Sequence, residues 1–225
     1  MGNQWVTHPF LHENEVDPLD FSIIEREYFG RGMQYIGGID EAGRGPLAGP
    51  VVAAVVFFSS SCRIPDVNDS KALSHKRREL LYDEIKAKAL AIGIGIVWPE
   101  VIDQINILRA THRAMGKAVA ESGVEPDLLL VDGLPVPTLD AAPQLAIVKG
   151  DALCFSIAAA SIVAKVERDW IMIDLEQKYP GYGFGQNKGY GTAEHLRAID
   201  RLGLCPQHRR TFCHRHRQVT LDLSS

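Results

Sequence analysis

Four acidic residues of this chain each follow a short apolar segment. Asp40 and Glu41 come directly after one segment, Asp132 ends another, and Asp151 comes shortly after a third. Any one of them alone could be a turn former or a helix cap. Buried together they would repel one another unless cations compensate, and carboxylate oxygens suit Mg²⁺ or Mn²⁺. The four acids therefore predict a site for two divalent ions, a kind of site that can activate water for attack on a phosphate.

The segment that follows the first acidic pair is rich in glycine. Gly43-Arg44-Gly45-Pro46 contains two residues without a side chain, so backbone N–H and C=O groups can approach a ligand closely. A ribose could fit against such a loop. The alternative is a tight connection between two strands that needs glycine for its backbone conformation.

The formal net charge of −4 conceals an uneven distribution of charge. Residues 1–177 carry 16 Lys and Arg against 25 Asp and Glu, whereas residues 178–217 carry 8 against 2, together with four histidines. A nuclease needs carboxylates to hold cations and basic groups to hold phosphates. The distribution favours a nucleic-acid partner, although a solvated basic helix face would explain the basic segment taken alone.

The segments that must position these residues alternate between strands and helices. Apolar, β-branched runs predict five strands, at Tyr35–Asp40, Val51–Phe58, Ala91–Val97, Leu128–Val131 and Leu145–Val148. Helical spacing predicts helices at Phe21–Tyr28, Lys71–Leu90, Pro99–Ser122, Ala152–Tyr179 and Ala193–Leu202, and Ser70 or Ser74 could cap the second of these. This alternation is typical of an α/β fold with a mixed or parallel central sheet, where ligands gather at strand ends.

We expect three regions along the chain: an N-terminal lead-in (1–34), a catalytic domain (35–212) that becomes basic and helical from about residue 178, and a tail (213–225). No apolar run approaches the ~20 residues that span a bilayer, and the first residues lack the pattern of a secretory signal. We therefore expect a cytoplasmic protein.

The four cysteines share no CxxC spacing, and we expect them to be reduced. The alternative is a zinc site, whose spacing would match no standard zinc motif. Its ligands would be Cys205, His208, Cys213 and His214.

Several motifs together resemble ribonuclease HII, the bacterial type 2 ribonuclease H. The longest runs from Gly38 to Val52 and contains both acids of the first pair and the glycine loop. Further matches are Asp69-Ser70-Lys71 with Leu73-Ser74, Ile105-Asn106-Ile107-Leu108, Val131-Asp132-Gly133, Val148-Lys149-Gly150-Asp151, Ala160 to Val166 with Arg168-Asp169, and Asn187 to Thr192. Their order and spacing are compatible with that family from Tyr35 to about Phe212.

The resemblance implies a ribonuclease H-like fold, with a mixed five-stranded sheet flanked by helices and a helical C-terminal extension. It implies that Asp40, Glu41, Asp132 and Asp151 bind two Mn²⁺ or Mg²⁺ ions. It also implies cleavage on the 5′ side of a ribonucleotide, in RNA–DNA hybrids or in duplex DNA, leaving 3′-hydroxyl and 5′-phosphate ends.

The same resemblance implies how the substrate is held. The backbone of Gly43, Arg44 and Gly45 would contact the 2′-hydroxyl, the group that separates RNA from DNA. Tyr190 would stack on the sugar of the following deoxynucleotide, and Lys71 would contact a phosphate near the cut. Spacing alone would leave Lys71 as a solvated residue at a helix start and Tyr190 as an ordinary loop aromatic.

Two features depart from the family pattern. Ala72 stands where many relatives carry a second basic residue, which would weaken part of the phosphate contact. The shared motifs do not cover the tail, where Gln218–Leu223 resembles the Q-x-x-L-x-L peptides that bind a bacterial sliding clamp. Such short matches also arise by chance.

Two other functions stay open from the sequence. One is a nuclease or strand-transfer enzyme that acts on DNA alone, because a fold does not fix a function. The other is a non-catalytic nucleic-acid-binding module, which would leave the four acids unexplained because carboxylates repel phosphate without a metal ion. We expect the ribonuclease to be a monomer.

Overall fold

The computed structural model describes residues 23–67 and 74–213, and its centre is a mixed five-stranded sheet. The strands are β1 (Ile36–Ala42), β2 (Val51–Phe57), β3 (Ala91–Val97), β4 (Leu128–Asp132) and β5 (Gln144–Ile147). Their order across the sheet is β3-β2-β1-β4-β5. The first three strands pair antiparallel, whereas β1, β4 and β5 run parallel. The predicted mixed sheet of five strands is confirmed.

Seven α-helices lie within the described residues. They are α1 (Ile23–Gly30), α2 (His75–Lys88), α3 (Pro99–Ile105), α4 (Ile107–Glu121), α5 (Phe155–Lys178), α6 (Phe184–Asn187) and α7 (Ala193–Leu202). Helix α4 packs on β2 and β3, and α5 packs on β1 and β2. The sheet therefore has one long helix on each face.

Glycines in the strands let these two helices approach the sheet closely. A Cβ atom at Gly95 of β3 would lie 1.9 Å from the carbonyl oxygen of Ala114 in α4. A Cβ at Gly38 of β1 would lie 2.2 Å from the backbone of Ser156 in α5. Both positions need glycine because backbone atoms of the helix occupy the space of a side chain.

The single helix predicted over Pro99–Ser122 is wrong, because the chain breaks at Asn106. This residue has φ 69° and ψ 166°, a conformation that L-residues rarely adopt. Its side chain accepts a hydrogen bond from the backbone N–H of Arg109 at 3.1 Å and so caps α4. The apolar periodicity continues across the break, so it could not indicate the turn.

Side chains also fix the starts of α2 and α5. Ser74, one of the two predicted caps, precedes α2 and accepts a hydrogen bond from the N–H of Arg77 at 3.3 Å. Helix α5 begins at Phe155, after a 3₁₀ turn at Gly150–Ala152. Its cap comes from α1, where Glu25 Oε1 accepts bonds from the N–H and the hydroxyl of Ser156, each at 2.9 Å. Burial raises the pKa of Glu25, and the hydrogen bonds from Ser156 at the helix start oppose the rise.

The predicted helical C-terminal extension is present and packs against α5. Its apolar cluster joins Met172 and Leu175 of α5 to Tyr182, Phe184 and Ala198. Ala48, from the loop between β1 and β2, belongs to the same cluster. The extension is thus attached both to α5 and to the glycine-rich loop. In the described part of the chain, no helix is both long and apolar enough to cross a membrane.

Candidate active site

The strand register brings two of the predicted acids side by side. In the parallel pairing of β1 with β4, Ile39 lies opposite Val131. One residue further along both strands, Asp40 and Asp132 are therefore neighbours. Residues of parallel strands that lie opposite each other point to the same face, and Gly38 shows that this face of β1 is covered by α5.

Asp40 is buried among other charged groups and is only 6% exposed. Burial, helped by repulsion from Glu41 and Asp132, raises the pKa of its carboxyl from 3.8 to about 7. A hydrogen bond from Ser161 and the charge of Lys165, both on α5, act in the opposite direction. Lys165 in turn donates to the hydroxyl of Ser161 at 2.5 Å. Both residues belong to the motif from Ala160 to Val166, but no role was predicted for them from the sequence.

Glu41 points to the glycine-rich loop, where its Oε1 accepts a hydrogen bond from Arg44 Nη1 at 3.0 Å. Burial raises the pKa of Glu41, the ion pair with Arg44 opposes the rise, and repulsion from Asp132 adds to it. Asp40, Glu41 and Asp132 therefore act on one another electrostatically, as members of one acidic cluster.

Asp151 lies in the 3₁₀ turn that follows β5, and Asp132 fixes that turn. Asp132 Oδ1 accepts a hydrogen bond from the N–H of Gly150 at 2.7 Å. The preceding residue, Lys149, has the left-handed φ of 58°, which turns the chain sharply after the strand. Asp151 is buried at 6% exposure directly beside this contact. All four predicted acids thus lie at the carboxyl ends of β1, β4 and β5.

The donor set suits hard divalent cations. It consists of carboxylate oxygens. Burial raises the pKa of Asp40 most, and repulsion from Glu41 and Asp132 adds to the rise; bound cations would relieve this repulsion. Within residues 23–67 and 74–213, however, no three His, Cys, Asp or Glu side chains already surround a common ion position. The carboxyl groups as positioned therefore do not form a complete ion site.

The described residues of the alternative zinc site are engaged in other contacts. Both ring nitrogens of His208 are engaged inside the protein, Nδ1 with the N–H of Cys205 at 3.0 Å and Nε2 with His195 at 3.1 Å. Among the described residues, Cys205, His208 and Cys213 do not form a group that could hold a metal ion. His214, the fourth candidate ligand, lies outside the described residues.

Tyr190 lies against the glycine-rich loop, as a common substrate site would require. A Cβ at Gly45 would be 3.8 Å from Cε1 of Tyr190, and the tyrosine remains 51% exposed. The N–H groups of Leu47 and Ala48 donate to the carbonyl of Gly189 at 2.8 and 3.3 Å. The loop and the tyrosine are therefore joined through their backbones.

Two buried arginines, for which no role was predicted from the sequence, support the loop from inside. Arg209 donates to the carbonyls of Gly43, Arg44 and Gly49 at 2.6, 2.9 and 3.0 Å. Arg168, on α5, donates to the carbonyl of Pro50 at 3.0 Å. Burial lowers the pKa of Arg168 to about 10 and that of Arg209 to about 9. Both remain charged at neutral pH.

The close approach of Arg168 to the loop requires a glycine at position 43. Gly43 has φ +88°, and a Cβ there would lie 1.9 Å from Nε of Arg168. Only glycine fits without moving the buried guanidinium. Lys71, the predicted phosphate contact, and Gln218–Leu223, the possible clamp peptide, both lie outside the described residues.

This chain is similar in sequence to proteins of one family. Residues 37–220 match the family model described as ribonuclease HII. A relative named Ribonuclease HII, from Bacillus cereus (strain Q1), is 51% identical over 211 residues, which cover 93% of this chain and 81% of the relative.

Solved structures with the same fold include two archaeal proteins. The ribonuclease H2 from Pyrococcus horikoshii OT3 has a TM-score of 0.67 at 28% identity, over 82% of this chain and 99% of that one. The structure of the PCNA:RNase HII complex from Archaeoglobus fulgidus gives 0.66 at 29% identity, over 78% and 94%. With a family model that spans most of the chain and a relative at 51% identity, the chain belongs to the ribonuclease HII family of ribonuclease H enzymes.

Proposed function

We propose that this chain hydrolyses the phosphodiester bond on the 5′ side of a ribonucleotide, leaving 3′-hydroxyl and 5′-phosphate ends. Its substrates are RNA–DNA hybrids and duplex DNA that contains single ribonucleotides, so that it acts in ribonucleotide removal during DNA replication and repair. The observation that carries the proposal is the burial of Asp40 beside Asp132 and Glu41 at the strand ends, where bound cations would relieve the repulsion between the carboxylates.

Asp40, Glu41, Asp132 and Asp151 are the proposed ligands of two Mg²⁺ or Mn²⁺ ions. Bound ions would supply Lewis-acid stabilisation of phosphate charge and would make a water molecule more acidic. The protein contributes orientation: Ser161 holds Asp40, and the N–H of Gly150 holds Asp132. The Oε1 atom of Glu41 is held by Arg44, so Arg44 orients this proposed ligand.

Recognition of the ribose is assigned to the loop Gly43-Arg44-Gly45. Arg209 binds the carbonyls of Gly43 and Arg44 from the buried side, which supports a loop of fixed geometry facing the substrate. The 2′-hydroxyl is both donor and acceptor, so a backbone that offers both kinds of partner can distinguish it from hydrogen. Tyr190 is proposed to stack on the following deoxyribose.

Contacts farther from the cut are also part of the proposal. Lys71 binds a phosphate, and the basic segment 178–217 contributes to the attraction of nucleic acid. The Archaeoglobus fulgidus relative was solved in complex with PCNA, which supports a clamp contact through Gln218–Leu223. Deleting residues 218–225 should then weaken binding to a sliding clamp, and unchanged binding would remove this part of the proposal. We also expect a cytoplasmic monomer.

Cleavage of matched duplexes tests the proposed activity. One duplex carries a single ribonucleotide, a second is all DNA, and both are incubated with Mg²⁺ or Mn²⁺ or with EDTA. We expect a nick on the 5′ side of the ribonucleotide in the presence of ions, and no cut in the DNA. Equal cleavage of both duplexes would favour a DNA nuclease, and binding without turnover would favour a non-catalytic module.

A further inference from the structure

Two buried histidines of the C-terminal extension contact each other beneath Tyr190. His195, on α7, is 0% exposed and His208 is 2% exposed. Their Nε2 atoms are 3.1 Å apart. Tyr182 and Phe184 flank them, with ring centroids 4.9 Å from His208 and 5.4 Å from His195 respectively. The pair is thus enclosed by aromatic rings, and neither residue belongs to the acidic cluster.

The hydrogen bonds around the pair determine where its protons are. The N–H of Cys205 donates to Nδ1 of His208 at 3.0 Å, so this nitrogen carries no proton. The proton of a neutral His208 is then on Nε2, from which it donates to Nε2 of His195. His195 must therefore carry its own proton on Nδ1, which lies 2.8 Å from the carbonyl oxygen of Tyr190. One directed chain runs from Cys205 through both rings to Tyr190.

The surroundings keep both rings neutral. Burial lowers the pKa of His195, and burial together with the neighbouring His195 lowers that of His208 to about 4. An added proton on Nε2 of His195 would face the N–H of His208, and an added proton on Nδ1 of His208 would face the N–H of Cys205. At neutral pH the direction of the hydrogen bonds is therefore unique.

This chain of hydrogen bonds ends at the backbone carbonyl of Tyr190, next to the atoms that carry the tyrosine ring. The carbonyl of Tyr190 also accepts a hydrogen bond from the N–H of Thr192 at 2.8 Å. The N–H of Tyr190 donates to the carbonyl of Asn187 at 2.9 Å. The other two contacts are made by backbone groups, and His195 is the buried side chain that binds the Tyr190 carbonyl. It fixes the peptide unit from which the tyrosine ring extends toward Gly45.

We propose that His195 and His208 are positioning residues that hold Tyr190 over Gly45 through a neutral pair of defined tautomers, and so set cleavage at the ribonucleotide. This inference rests on the proposed contact of Tyr190 with the substrate. Neither histidine touches the nucleic acid. Their effect on the reaction passes through the Tyr190 main chain.

Two substitutions of His195 separate positioning from stability. Both His195→Leu and His195→Asn remove the acceptor for His208, so both lose the stability that this hydrogen bond contributes. Asn, however, retains a side-chain N–H near the position of Nδ1 and can still donate to Tyr190. On a duplex with one ribonucleotide, we expect His195→Leu to lower the single-turnover rate by about 10- to 100-fold. His195→Asn should recover most of that loss.

A double-mutant cycle with Tyr190→Ala shows whether the effect passes through the tyrosine. Once the ring is absent, His195→Leu should cause no further loss of rate. Tyr182→Phe is the matched control, because it removes the hydrogen bond to the Gly203 carbonyl in the same cluster without touching Tyr190. Equal losses from His195→Leu with and without the Tyr190 ring would overturn the proposal.

Nitrogen NMR of the histidine rings in the wild-type protein gives a readout that needs no activity. At pH 7 we expect His208 protonated only on Nε2 and His195 only on Nδ1. A charged ring or the reverse tautomers would refute the chain of hydrogen bonds. If the wild-type protein fails to nick the ribonucleotide duplex, the proposed function fails instead, and the NMR result still decides the tautomers.

Discussion

Replacing Asp40 by Asn should stabilise the metal-free protein, because the carboxyl is buried beside other acids. On folding, its pKa rises from 3.8 to about 7. The folded chain then binds more protons than the unfolded chain between these two values, so stability falls as the pH rises through this window. At about 1.4 kcal/mol for each pH unit, the penalty above pH 7 is about 4 kcal/mol. Asn carries no such penalty.

Urea denaturation in EDTA at pH 5 and at pH 8 measures this penalty. The stability gained by Asp40→Asn over the wild type should be larger at pH 8 by about 3 kcal/mol, because two pH units of the window remain above pH 5. Comparing the two proteins at each pH cancels the contribution of titrating groups that do not interact with Asp40, such as His208. Saturating Mg²⁺ should then stabilise the wild type more than the variant, since ligands that bind the native state stabilise it.

Asp127→Asn is the matched control. The Asp127 carboxylate accepts hydrogen bonds from the N–H groups of Gln34 and Tyr35, and these bonds lower its pKa. Removing this charge should give no gain in stability. An Asp40→Asn variant that is less stable than the wild type at pH 8, or whose advantage is the same at both pH values, would refute the account of the acidic cluster.

Three further substitutions test the contacts around the site. Gly43→Ala forces a side chain into a left-handed position against Arg168 and should cost about 2 kcal/mol or more as well as activity; a fully active, equally stable variant in a urea titration and a nicking assay would contradict this. Arg209→Met leaves loop carbonyls without their buried donor and should destabilise by about 3 kcal/mol, with a higher KM for the ribonucleotide duplex; unchanged values of both would count against its supporting role. Glu25→Ala removes the cap at Ser156 and should cost about 2 kcal/mol, and an unaltered urea midpoint would show that the cap is dispensable.

Sequence alone located the strands well, because the buried strands are continuous apolar runs. The strand predicted at Ala91–Val97 has those bounds in the structure, and the one predicted at Val51–Phe58 ends one residue earlier. The single helix predicted over Pro99–Ser122 was wrong because one residue, Asn106, has a non-helical backbone conformation that divides it. Apolar periodicity is a property of many residues, so a change of conformation at one residue does not alter it.

The acids of the candidate site were visible in the sequence because they interrupt apolar strands. Their common position follows from parallel pairing, as with Asp40 and Asp132. The supporting residues were not visible in the same way. Arg209 contacts Gly43 across 166 residues of sequence, and Glu25 caps α5 across 131. A charged residue in a polar segment gives no signal of such a partner.

Single-turnover cleavage of a duplex with one ribonucleotide by Asp132→Asn tests the central claim, that the acids at the strand ends act together in the reaction. Asn can retain the hydrogen bond from the N–H of Gly150 through its amide oxygen, so the fold should persist, which circular dichroism would verify. We expect the rate to fall on the order of a thousandfold or more. A folded variant that cuts at a near-normal rate would contradict the account.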